Sequence, residues 1–241
     1  MGGPAGRGHR AGRDGGAAVI GLWHPGTDPV ACDFRHVFVA LGEPWWLPAG
    51  PLMLTVEPRC GMTTVLDGRW DQWLADLARA VSGRCRWVRF AHEQNGTWYD
   101  WSTAKVPHDQ WAASWRHVMA ALPGQKAWGP NVDFPGALPF WDAYPGDAAV
   151  DLVGFSGYDF SGTTGPDALF GPSLALVAGR KPVLVAETAT WTRQKSWARQ
   201  LRRWAAQHQV DPVCWFDEDK TGSNERAWAL RPGARQALLR G

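Results

Sequence analysis

From residue 18 onward, short apolar runs alternate with stretches in which apolar positions recur every three or four residues. The runs are AVIGLW (18–23), HVFVAL (36–41), PLMLTVEP (51–58) and CRWVRFAHE (85–93), then KAWGPNV (126–132), VDLVGFSGYD (150–159), KPVLVAET (181–188) and DPVCWFDE (211–218). Most are continuously apolar, as expected of parallel strands covered on both faces. Between them, residues 69–82 place Trp70, Trp73, Leu74, Leu77 and Val81 on one helical stripe. Residues 109–122 do the same with Trp111, Trp115, Val118, Met119 and Leu122, and residues 195–208 with Trp197, Leu201, Trp204 and Ala205. A last helix is expected from about residue 226.

Eight strands separated by helices predict a closed (β/α)8 barrel over residues 17–241 as a single domain. Two connections are thin. Residues 24–35 leave room for a stub of helix, and residues 42–50, GEPWWLPAG, are short for a parallel crossover. Either the helices after strands 1 and 2 are trimmed, or the second strand is misplaced. A Rossmann-like sheet is the alternative, but no glycine-rich phosphate motif follows any strand. Residues 1–16 are rich in Gly and Arg without an apolar centre, so they read as a flexible tail rather than a secretory signal. Localisation stays open on the sequence.

Composition narrows the partners. A formal charge of +2, spread along the chain, offers neither a nucleic-acid footprint nor a polybasic membrane patch. The apolar runs are too short to span a bilayer. Seventeen tryptophans against nine Phe and three Tyr are the outlier. Those on the helical stripes are expected to pack on the barrel wall. The loop tryptophans Trp45, Trp46, Trp98, Trp101, Trp141 and Trp191 are better placed to stack on sugar faces. The four cysteines lack zinc-ligand spacing, although a bridge between Cys32 and Cys60 is conceivable if both lie in loops at one barrel end. No HExxH motif occurs, and neither metal nor cofactor is expected.

Active sites of such barrels form where the strands end. Strand 1 ends in Trp23 and His24, strand 3 in Glu57, strand 4 in His92 and Glu93, and strand 5 near Asn131. Strand 6 ends in Tyr158 and Asp159, strand 7 in Glu187, and strand 8 in Trp215 with Asp217 beyond. Carboxylates thus recur at one end of the barrel. Burying any of them needs a partner or a role. Two facing carboxylates among aromatic rings suit glycosidic chemistry, where one protonates the leaving oxygen and the other attacks C1.

VRFAHEQNGTWYDW (88–101) resembles the fourth-strand signature of glycoside hydrolase family 26, and KPVLVAET (181–188) its seventh-strand nucleophile segment. YPGDAAVDLVGFSGYD (144–159), AWGPN (127–131) and LTVEP (54–58) are similar to its sixth-, fifth- and third-strand elements. The resemblance implies a retaining (β/α)8 glycosidase with Glu93 as general acid/base and Glu187 as nucleophile. It implies substrate-site places for His92, Trp98 and Trp215, with Tyr158 bonding the nucleophile and Arg89 supporting the carboxylates, while Trp23, His24, Glu57 and Asn131 are candidate substrate contacts by their strand-end positions. Gln94, Thr188 and Val56 depart from the usual motif residues, and the chain is short in the loops that build outer sugar subsites.

The implied function is endo-cleavage of a β-linked polysaccharide, β-1,4-mannan first, by a monomer. Mixed-linkage glucan, β-1,3-xylan or a bacterial exopolysaccharide are alternatives, as is a carbohydrate-binding barrel without catalysis. The last usually loses one carboxylate, and both are present here.

Overall fold

The computed structural model describes residues 18–25, 31–223 and 225–240. The tail expected over residues 1–16 lies outside them. Eight parallel strands close into one barrel in sequence order, β1 pairing with both β2 and β8. They are β1 (Ile20–Trp23), β2 (Phe34–Ala40), β3 (Leu52–Glu57), β4 (Cys85–Phe90), β5 (Gln125–Trp128), β6 (Leu152–Asp159), β7 (Val183–Thr190) and β8 (Val213–Phe216). The second strand is where the sequence puts it.

Five helices cover the outside: α1 (Asp71–Val81) after β3, α2 (His108–Ala121) after β4, α3 (Pro166–Val177) after β6, α4 (Gln194–His208) after β7 and α5 (Pro232–Leu239) after β8. Among the described residues, the connections after β1 and β2 carry no helix, as expected, and neither does the one after β5. That segment, residues 129–151, holds Pro130, Pro135, Pro139 and Pro145, each of which removes a helical N–H. It covers the barrel with rings instead: Trp141 stacks on Trp128 at 5.4 Å, and Phe140 and Tyr144 meet Trp128 edge-on. The last helix starts at Pro232, not near residue 226, with the proline in its first turn.

The stripe tryptophans Trp111, Trp115 and Trp197 are buried between helix and barrel. Removing rings of this size from water stabilises by about 4–6 kcal/mol each before entropy is counted. Inside the barrel, side chains alternate along each strand. The bottom layer is apolar: Phe34, Met53, Trp87, Ala127, Leu152, Leu184, Ala186 and Cys214 form one cluster. Gly21 belongs to it by having no side chain, since a Cβ there would lie 2.1 Å from the Phe34 ring. One layer up, the interior turns polar with His36, Thr55, Arg89 and Ser156, all buried.

The cysteine expectation is corrected. Cys32 precedes β2 and Cys60 follows β3, so they lie at opposite ends of the barrel, and no disulfide joins them.

Candidate active site

A cavity of about 660 Å³ opens at the C-terminal ends of the strands. Of the residues expected from sequence, Trp23, Glu57, His92, Glu93, Trp98, Tyr158 and Glu187 line it. Two local irregularities aim the two glutamates.

On β7 the register slips by one residue against both neighbours: Phe155 pairs with Val185 but Ser156 with Glu187, and Val213 pairs with Val185 but Trp215 with Thr188. The extra residue is a bulge, which re-aims the side chains beyond it. Ala186 already faces the barrel interior. Regular alternation would turn Glu187 outward, and the bulge brings it inward as well. On the other wall β4 stops at Phe90, and the chain then visits the left-handed region at Ala91 (φ 50°) and Glu93 (φ 56°). Non-glycine residues held there cost on the order of 1–3 kcal/mol each. The surroundings hold this turn in place: Glu93 N donates to Gly129 O at 2.7 Å, and Asn95 bonds the main chain of Asn131 twice, at 2.8 and 3.0 Å.

A carboxylate oxygen of Glu93 and one of Glu187 come within 4.8 Å of each other, with a His92 ring nitrogen inside the same span. The environments of the two acids differ. Arg89, fully buried, donates to Glu187 Oε1 through Nη2, Ser156 Oγ donates to the same oxygen at 3.3 Å, and Tyr158 OH donates to Oε2 at 2.8 Å. Burial alone would raise the Glu187 pKa, but the Arg89 charge and these donors outweigh it and hold the carboxyl below its usual range. Glu93 Oε2 accepts a short bond from Trp98 Nε1 at 2.8 Å. Burial first, and the Glu187 charge second, push its pKa up to about 7.

The remaining lining is aromatic with a charged rim. Trp23 and Phe216 stack at 4.5 Å and 3°, and Trp228 meets Tyr158 at 5.2 Å. Trp98 is 48% exposed at the lip, folded back over Gly96, where a Cβ would fall 2.3 Å from its ring. His92 packs edge-on against Phe38 and Tyr99, and its Nε2 lies 3.2 Å from Tyr99 OH. Burial pushes the His92 pKa well down, so the ring is neutral, and its buried Nδ1 has no partner. Glu57 is clamped by Arg59 at 2.6 Å, while burial raises its pKa. Three donor groups within 4.8 Å resemble a cation site in outline, but the Arg89 guanidinium and the Trp98 indole already take one oxygen of each glutamate.

Four expected residues do not line the cavity. Arg89 lies beneath it, against Glu187. Asn131 works through its main chain, paired to Asn95 and bridged to Ser156. His24 sits 3.5 Å from buried Asp217, which anchors Arg235 of α5 and Leu230 N. Trp215 is the clearest correction. On β8, Cys214 faces the barrel interior and Phe216 the cavity. Alternation then sends Trp215 outward, where it meets Trp197 of α4 edge-on and donates Nε1 to Trp228 O. Phe216 and Trp228 supply the walls assigned to it. Phe38, Tyr99, Phe160 and Lys220 also line the cavity. Phe34-x-His36-x-Phe38 on β2 carried a period-two signal that would have found the first of these.

No protein-family model matches the chain. Among curated proteins, Endoglucanase H of Acetivibrio thermocellus is 27% identical over 197 residues. The match takes in 70% of this chain but only 22% of that protein, about a fifth of its length. Among solved structures, a GH26 beta-mannanase from Bacteroides ovatus superposes with a TM-score of 0.65 at 15% identity, covering 92% of this chain and 86% of that one. A Bacillus subtilis mannanase superposes at 0.56 and 12% identity, covering 92% and 84%. These neighbours share the (β/α)8 barrel, and the first carries the family designation that the strand-end motifs resemble.

Proposed function

We propose that this chain is a retaining glycoside hydrolase that cleaves internal β-linkages of a polysaccharide, with β-1,4-mannan as the first substrate to test. The observation that carries the reading is the divergence of two neighbouring carboxyls. Glu93 is raised to about 7 and Glu187 is held low, within 4.8 Å. That division supplies an acid and a nucleophile at one pH, and the spacing suits retention, for which about 5–5.5 Å is typical.

Glu187 attacks C1 of the sugar while the C1–O bond to the leaving group breaks and the leaving oxygen takes the Glu93 proton. A glycosyl ester on Glu187 results. That ester has lost the negative charge which helped to raise Glu93, so Glu93 becomes a stronger acid and, once ionised, a stable base. It then takes a proton from water, the water oxygen bonds to C1, and the ester C–O bond breaks. Trp98 at the lip and the Trp23–Phe216 stack offer apolar faces to sugar rings on either side. That both superposing enzymes are mannanases supports mannan as the first choice.

The test is a polysaccharide panel of mannan, glucomannan, lichenan, β-1,3-xylan and bacterial exopolysaccharides, with product sizing and proton NMR of the first anomer formed. Hydrolysis with retention, abolished in both Glu93→Ala and Glu187→Ala, is expected. Undiminished hydrolysis in either variant, or an inverted first anomer, defeats the reading.

A further inference from the structure

The polar layer beneath the carboxylates contains more than Arg89. Arg89 Nε donates to Thr55 Oγ1 on β3 at 3.0 Å, and the same oxygen lies 2.8 Å from His36 Nε2 on β2. Arg89 Nη1 donates to Ser156 Oγ on β6 at 2.9 Å, and Nη2 reaches Glu187 on β7. The far ring nitrogen of His36, Nδ1, lies 3.6 Å from Cys214 Sγ on β8. Three side chains from three strands therefore bond one guanidinium, His36 and Cys214 extend the network from two more, and Arg89, Thr55 and Ser156 are each completely buried.

Bonding rules set much of the proton order. A guanidinium only donates, so Thr55 Oγ1 accepts from Arg89 Nε and has its own O–H to direct elsewhere. His36 is neutral, because burial first and the Arg89 charge second push its pKa well down. A neutral imidazole has one accepting nitrogen, and Nε2 stands within bonding distance of the Thr55 hydroxyl. The relay Arg89–Thr55–His36 thus fixes the rotation of the guanidinium fork. Without an acceptor at Nε, the plane of that fork has no anchor on the β3 side. Gly129 completes the fit by leaving space for the Arg89 stem, where a Cβ would fall 2.4 Å from Cδ.

We propose that Thr55 and His36 are positioning residues, a buried relay that orients Arg89 against Glu187 and so sets the direction and charge of the nucleophile. Neither lines the cavity, so the relay acts on substrate only through Arg89 and Glu187. The inference rests on the reading of Glu187 as nucleophile. The titratable groups facing Arg89 and Glu187 are His36 on β2, Glu57 on β3, His92, Glu93 and Tyr99 after β4, Tyr158 on β6 and Cys214 on β8.

The test uses Thr55→Val, which keeps the shape and removes the acceptor, and Thr55→Ser, which restores it. The direct readout is carboxyl carbon-13 NMR titration of the glutamate-labelled enzyme without substrate, with the Glu187 signal assigned through Glu187→Gln. Thr55→Val is expected to raise the Glu187 pKa by about one unit, the scale of one weakened charged hydrogen bond, and Thr55→Ser to return it. On whichever polysaccharide the wild type cleaves, Thr55→Val should lower kcat about tenfold at a nearly constant KM, because the lost interaction bears on the nucleophile rather than on the sugar. If Thr55→Val does not fold, His36→Asn, which shortens the relay at its far end, is read in the same way. A Glu187 titration unmoved in a folded variant overturns the relay. If Glu187→Gln cleaves like wild type, the nucleophile assignment fails instead, and the two failures remain distinct.

Discussion

Replacing Glu187 by Gln should lower the pKa of Glu93, and the geometry sets the size of the shift. A unit charge at the 4.8 Å limit contributes about 1 kcal/mol through water and about 3.5 kcal/mol at an effective dielectric of 20. At about 1.4 kcal/mol per unit, that is roughly 0.6–2.5 pKa units. The Arg89 charge, which Glu187 now balances, would also be released to act on Glu93, and it acts in the same direction. Burial persists in the variant, so the value falls from about 7 without dropping below the ordinary carboxylate range. The assay is carboxyl NMR titration of folded Glu187→Gln enzyme, which needs neither substrate nor turnover. A Glu93 titration that stays put or moves upward would refute the reasoning, because it would mean that the two acids do not feel each other's charge. In the proposed mechanism the same loss of charge would accompany esterification of Glu187, so this variant imitates electrostatically the moment at which Glu93 would change from acid to base.

Other consequences can be measured alongside it. The free enzyme should give a bell-shaped pH dependence of kcat/KM. Activity falls below the depressed pKa of Glu187, where the nucleophile is protonated, and falls again as pH rises through about 7, where Glu93 loses its proton. Tyr158→Phe strips Glu187 Oε2 of its one donor among the described residues while the ring keeps its contacts with Trp228 and Phe216, so kcat should drop roughly 10–100-fold and the acid limb move up. Trp98→Phe removes an indole donor that, with Arg89 and Ser156, opposes the elevation of Glu93, and the alkaline limb should shift to higher pH even as KM worsens. Gly129→Ala forces the Arg89 stem aside and should cost kcat about tenfold or more, with thermal denaturation checking that the barrel persists.

The barrel was legible because continuous apolar runs at regular spacing can hardly be anything but buried parallel strands, and all eight fall where the runs are. What escaped was local. The helix α3 contains Gly171 and Pro172 and is apolar around much of its circumference, so no stripe announces it. The segment after β5 reads as an ordinary crossover until its prolines are counted. For Trp215 the motif resemblance implies a sugar-facing wall, whereas one residue of alternation decides which side it faces. Glu187 shows the converse. Its inward direction depends on a bulge that no residue type in VLVAETAT marks, and only the motif resemblance singled it out. The His36–Thr55 pair was passed over because buried polar residues within an apolar strand look like tolerated exceptions until their partners are seen.

The apolar floor formed by Phe34, Met53, Trp87, Leu152 and Leu184 also governs traffic. It stops the barrel from being a conduit, so protons and water meet Glu187 and Glu93 only from the cleft side. Under the proposed function, a sugar chain lying in that cleft would do two jobs at once: it would be the substrate, and it would be the stopper that shuts the two acids off from the bulk buffer. In that reaction the proton leaving with the first product, and the water replacing it, would pass through the opening that product vacates, which would tie the order of chemical events to the order of departures.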